Sequence, residues 1–217
     1  AYGDCAMDET NYSLNFDGVD DYVDMGNTSS LKLVSDITIA VEILIDSSQP
    51  HWQHILSYGG YGEEQIDNMI YLIEIPENSM TINFLHEYNG GNNVIIPSNY
   101  EFSPNQWYNL VVTRDVTNQV IDFYIDGILV QTSPFSISPN GGSNGHFSIG
   151  NQHNSPADFF KGNLDNLAVW NTVLTQQQIQ SYMSTPPIGH EEGLVSYWHF
   201  NEGTGSTLTD QTSNGND

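Results

Sequence analysis

The chain has 217 residues, 27 of them acidic and only three basic (Lys32, Arg114 and Lys161), for a formal net charge of -24. Depletion of bases, rather than enrichment of acids, makes it acidic, and such a surface repels nucleic-acid phosphates and anionic membranes while attracting cations. The length fits one all-β domain with a sizeable core and leaves little for a second, and no apolar run approaches the roughly 18 residues that span a membrane.

Residues 1–10 read as an N-terminal tail with neither the basic start nor the apolar stretch of an export signal. Its Cys5, the one cysteine, cannot form an internal disulfide and receives no chemistry. From residue 11 onward, short strand-forming runs recur between Gly, Asn and Pro: Tyr12–Phe16, Tyr22–Met25, Ile37–Ile45, His54–Ser57, Met69–Ile75, Ser79–Tyr88 and Asn92–Ile96. Trp107–Arg114, Val120–Tyr124, Ile128–Thr132, His146–Ile149 and Leu164–Trp170 follow. Between two of them stands Asp126-Gly127, the pair that supplies positive φ at both centres of a type I′ hairpin turn. So many short strands predict an all-β, two-sheet antiparallel β-sandwich, and the helical patterns a parallel sheet would need are absent.

One helix is predicted, over TQQQIQSYM, where Thr175 caps and Gln178 completes a capping box. Leu174, Ile179, Tyr182 and Met183 would face the sandwich, so this short peripheral helix is expected to cover an edge or a sheet end. After Pro186-Pro187, residues 194–217 read either as the closing strand (Leu194–Phe200) and a C-terminal turn segment, or as the start of a further module; the alternating apolar set favours the first. Residues 11–217 are therefore expected to form a single domain.

The order SLNFDGVDDYVDMG, NQWYNLVVTRD, FYIDGILVQ, HFSIGNQ and FFKGNLDNLAVWN resembles laminin G-like and pentraxin-like jelly rolls of the concanavalin A-like lectin and glucanase superfamily. The resemblance implies a jelly roll, secreted or on a cell surface, one module of a larger chain with polysaccharide or glycoconjugate partners. It also implies calcium. Asp17, Asp20 and Asp21 crowd a Gly-containing turn of the kind that aims carboxylates and carbonyls at a hard cation, and the family often completes such a site with an Asp on a late strand, here Asp165. The alternative is that these aspartates make Asx-turns and keep the edge soluble.

SYGGYGEEQIDNMIYLI resembles the pentraxin segment whose Asp-Asn pair binds calcium, placing Asp67 and Asn68 there, and SIGNQHNS resembles the loop that completes that site. The chain departs from the pattern, with Gln152 and Asn154 where the family has acids, so calcium would be held weakly or not at all unless Glu63 and Glu64 restore the charge. Amides around one Asp suit sugar hydroxyls, which both donate and accept. Trp52, Tyr58 and Tyr61, together with Tyr88, could supply ring faces for a sugar, whereas Trp107, Trp170 and Trp198 are expected in the core.

Of the seven histidines, only His51 and His54 lie close in sequence, and that spacing on a strand points them to opposite faces. No catalytic signature is present: Glu42 stands alone in VEILID where glycosidases of this fold pair carboxylates on one strand, and three bases are too few for a uronate lyase. A non-catalytic binding module ranks first, a structural domain stapled by calcium second, and a hydrolase or lyase last.

Overall fold

The computed structural model describes residues 11–60, 69–88, 92–139 and 145–217. Within them the strands are β1 (Leu14–Asp17), β2 (Val23–Asp24), β3 (Ile37–Ile45), β4 (Gln53–Gly59), β5 (Tyr71–Ile75), β6 (Asn83–Tyr88), β7 (Asn92–Pro97), β8 (Trp107–Asp115), β9 (Val120–Ile125), β10 (Ile128–Pro134), β11 (His146–Ile149), β12 (Lys161–Trp170) and β13 (Leu194–Trp198). They form two antiparallel sheets, one ordered β1-β12-β3-β8-β9-β10 with β13 added to β12, the other β2-β11-β4-β5-β6-β7. The chain is thus an all-β jelly-roll sandwich.

The pleat explains the layering. On β3, Ile37, Ile39, Val41, Ile43 and Ile45 enter the core between the sheets, leaving Thr38, Ala40, Glu42 and Leu44 on the outer face. Phe84, Phe123, Phe147, Phe160 and Trp198 fill the same core. At the β9–β10 hairpin Asp126 and Gly127 take φ of 50° and 71°, with Ile125 opposite Ile128, as a type I′ turn requires. On β12, Gly162 lets β3 approach closely: a Cβ there would lie 2.1 Å from the Leu44 carbonyl oxygen.

Arg114 is fully buried between the sheets. Its guanidinium donates to the carbonyls of Ser35 (3.1 and 2.9 Å), Leu33 (2.6 Å) and Ile70 (2.9 Å), and lies 5.9 Å from the Phe84 ring centroid. Burial pulls its pKa down to about 10, so it stays charged at neutral pH.

The helix α1 (Gln176–Ser184) carries the expected capping box of Thr175 and Gln178. Its position differs from expectation. It lies on the outer face of the β12-β3-β8 sheet, not on an edge, because Val111, Tyr124, Ala168, Trp170 and Tyr197 make that face apolar and in need of cover. Ile179 packs into the patch and Tyr182 stacks on Trp170, while Met183 stays exposed. Leu194–Trp198 pairs with β12 and closes this sandwich, and Trp198 donates to the carbonyl of Asn216, tying down the last turn.

Candidate functional site

The loop end of the β2-β11-β4 sheet holds part of the expected ligand site. Asp67, Asn68 and Tyr61 lie outside the described residues, as do Glu63 and Glu64. Trp52 is 37% exposed just before β4, and Asn154 is exposed with φ of 61°. One residue corrects the sequence reading, and another is drawn partly inward. Tyr58 is fully buried in β4, its ring in the core and its hydroxyl donating to Asn27 Oδ1 (3.2 Å), so it offers no face to a surface ligand. Gln152 is only 9% exposed, because Asn151 draws the turn inward by donating to the carbonyl of Ser155 (3.1 Å) and accepting from the Gln152 N–H (2.8 Å).

The calcium set also divides. The carboxylates of Asp17, Asp20 and Asp21 lie within 4.8 Å of one another at the surface. Asp17 accepts the N–H of Val19 (2.8 Å), and Asp21 accepts the N–H of Asp17 (3.0 Å). Three hard carboxylates with room for water suit calcium. Asp165 does not join them: register places Asp17 opposite Lys161, and Asp165, four residues further along β12, is about 13 Å away at strand rise.

Asp165 belongs instead to the outer face of the β12-β3-β8 part of the same sheet. There it is paired across the strands with Glu42, which in turn faces Asn109, so the three side chains stand side by side with Cβ atoms roughly 5 Å apart. Sequence inspection missed this carboxylate pair because its members sit on strands that only the fold brings together. Trp107, expected in the core, is 43% exposed beside it, since it is the first residue of β8 and points outward with Asn109 and Val111. Asn11, Tyr12, Ser13, Glu42, Trp107 and Asp165 line an open depression of about 350 Å³, continued by a second, of about 190 Å³, that reaches Asn109 and Asp126.

Burial raises the Asp165 pKa from 3.8 to about 6, with the Glu42 charge adding to the rise and hydrogen bonds from Asn166 and Asn11 opposing it. A carboxyl whose folded pKa is raised destabilises the fold as it ionises: the penalty is absent below about pH 4 and complete above about pH 6. Asp165→Asn is therefore expected to stabilise the protein at pH 8 by about 1 kcal/mol after solvent screening. The gain should vanish at pH 4, as chemical denaturation at the two pH values would read. Near pH 6 the Asp165 group is divided between a carboxyl that can donate a hydrogen bond and a carboxylate that only accepts.

A third cluster joins Asp24 with His146 and His153, residues that histidine spacing in the sequence does not bring together. A fourth, His54–Glu74–Asn83, is buried. Burial raises the Glu74 pKa and lowers that of His54, and both shifts favour neutral forms.

Among solved structures, the chain is similar to a candidate carbohydrate-binding protein of Bacteroides ovatus (18% identity, TM-score 0.68), the alignment covering 91% of this chain and 54%, about half, of that one. It is similar also to a heptameric SAP-like pentraxin of Limulus polyphemus (16%, TM-score 0.61, 94% and 96% covered). A third is the CBM40 of a Ruminococcus gnavus sialidase bound to α2,3-sialyllactose (13%, TM-score 0.60, 78% and 97% covered). At these identities they establish the fold. No curated protein matches the sequence. The family model that matches residues 17–180 covers most of the chain, which therefore belongs to the concanavalin A-like lectin/glucanases superfamily.

Proposed function

We propose that the chain is a non-catalytic carbohydrate-binding module of a secreted or cell-surface protein, which contacts its glycan through the outer face of the β12-β3-β8 sheet. The observation that carries this reading is Trp107, an exposed ring beside Glu42, Asp165 and Asn109 in an open depression. Sugar rings present one apolar C–H face and a rim of hydroxyls, and an aromatic platform rimmed by carboxylates and amides matches both. Tyr12, also exposed, lengthens the platform. The similar structures described as carbohydrate-binding support the reading.

Calcium enters this proposal as a structural ion at Asp17, Asp20 and Asp21, with the alternative site at Asp67, Asn68 and Asn154 as a ligand-bridging one. Chelation is expected to lower the melting temperature by several degrees, as loss of a bound ion does, without abolishing glycan binding if the ion is only structural. Calorimetric titration against a polysaccharide and sialylated-glycan panel, with calcium and with chelator, tests both points. Silence across the panel would count against the module reading, and binding that disappears with chelator would move the site to the calcium loop. A hydrolase reading draws on the Glu42–Asp165 pair, and reducing-sugar release from any panel member would favour it.

A further inference from the structure

Asp24, His146 and His153 converge from three places: β2, the first residue of β11, and the turn after β11. Asp24 pairs with Ser148, so His146, two residues earlier on β11, lies diagonally across from it on the same face. His146 Nδ1 is 2.8 and 3.1 Å from the two Asp24 carboxylate oxygens, and His153 Nδ1 is 3.2 Å from Oδ2. The two imidazoles stack, ring centroids 3.7 Å apart and planes tilted by 25°. The carboxylate is itself held by the N–H of Gly26, which donates to Oδ1 (2.8 Å).

From this geometry we propose that Asp24, His146 and His153 form a binding site for a divalent transition-metal ion of the zinc class, with a fourth position open to water or a ligand. Two imidazole nitrogens and one carboxylate are the donor set that borderline ions accept and that calcium and magnesium, which seek oxygen, do not. The spacing fits. Donors bound at about 2.0–2.1 Å with tetrahedral angles lie about 3.3 Å apart, and the nitrogen–oxygen separations here are 2.8–3.2 Å, so an ion enters with shifts of a few tenths of an ångström. A carboxylate can only accept, so in the ion-free state the Nδ1 atoms that face Asp24 donate to it. Moving the Nδ1 proton to Nε2 frees a lone pair on each ring toward the same point.

A single His–Asp contact would suffice to pin the turn after β11. A second imidazole stacked on the first and sharing one carboxylate is surplus to that task and is what a metal needs. The three side chains are 20–30% exposed, within reach of an ion from solution, and the net charge of -24 raises the local cation concentration. Occupied, the site would staple the turn bearing Gln152 and Asn154 to β2 and β11. It stands apart from the all-oxygen cluster at Asp17, Asp20 and Asp21 and from the glycan surface around Trp107.

The test titrates zinc chloride into the chelator-stripped protein by calorimetry and follows cobalt(II) by its visible d–d absorption. One equivalent should bind, with a tetrahedral-type cobalt spectrum that zinc displaces and a large excess of calcium does not. His146→Gln and His153→Gln should each weaken zinc binding by ~10-fold or more, and the double variant should abolish the cobalt spectrum. Both positions are partly exposed, so the variants should keep the wild-type near-UV circular dichroism, which shows that lost binding is not lost folding. Zinc binding unchanged in the double variant, or calcium displacing cobalt at equal concentration, would overturn the proposal, as would the absence of any zinc binding.

Discussion

Replacing Arg114 by Met is expected to lower the free energy of unfolding by about 4 kcal/mol, and the melting temperature by about 10 °C for a domain of this size. Two effects oppose each other at this residue. Burying a guanidinium away from water is costly, as the lowered pKa shows, and an apolar replacement removes that cost. Against it stand the carbonyls of Leu33, Ser35 and Ile70, all accepting from this one side chain. They belong to the backbone and remain after substitution, each losing about 1–3 kcal/mol when left unsatisfied in the interior. The carbonyls win, because three orphaned acceptors outweigh one relieved desolvation. Arg114→Lys should also destabilise, since a single ammonium cannot span carbonyls that come from two separate segments, one leading into β3 and one into β5. Equilibrium denaturation of both variants checks this, and a Met variant as stable as wild type would show that desolvation dominates.

Trp107→Ala is expected to weaken glycan binding by at least ~30-fold, the size of effect that loss of a central aromatic contact produces. Because the ring is 43% exposed, the same substitution should change stability little. Trp52→Ala provides the comparison, for Trp52 is also exposed but sits at the loop end of the other sheet. On the reading proposed here its loss changes affinity by less than about threefold, whereas a large effect of Trp52 and none of Trp107 would place the ligand at the calcium loop. Calorimetry on both variants with one responding glycan distinguishes the two.

The fold was legible because local signals agreed with one another. Alternation on β3, the Asp126-Gly127 turn and the Thr175 capping box each depend on neighbours within a few residues, and each appears where its chemistry requires. The site was less legible, and for a physical reason: it is made of residues that only strand pairing brings together. Glu42 looked solitary until β12 placed Asp165 opposite it, and Asp24, His146 and His153 are remote in sequence but adjacent across β2 and β11. Register also works in the other direction, since it separates Asp165 from the Asp17 turn with which family resemblance joined it. Aromatic residues near strand ends were the hardest. Tyr58 and Trp107 both sit at the ends of strands, yet the pleat sends the first inward against Tyr71 and the second out to solvent. A shift of one residue in register would exchange those fates.

The claim that glycan lies on the outer face of the β12-β3-β8 sheet is tested most directly by quenching tryptophan fluorescence. Of the four tryptophans, Trp170 and Trp198 are buried, so in a Trp52→Phe variant Trp107 is the one ring open to acrylamide, an uncharged quencher indifferent to the acidic surface. A glycan that binds this variant by calorimetry should protect its fluorescence, reducing the quenching constant toward that of the buried pair. Binding heat without any such protection would contradict the account.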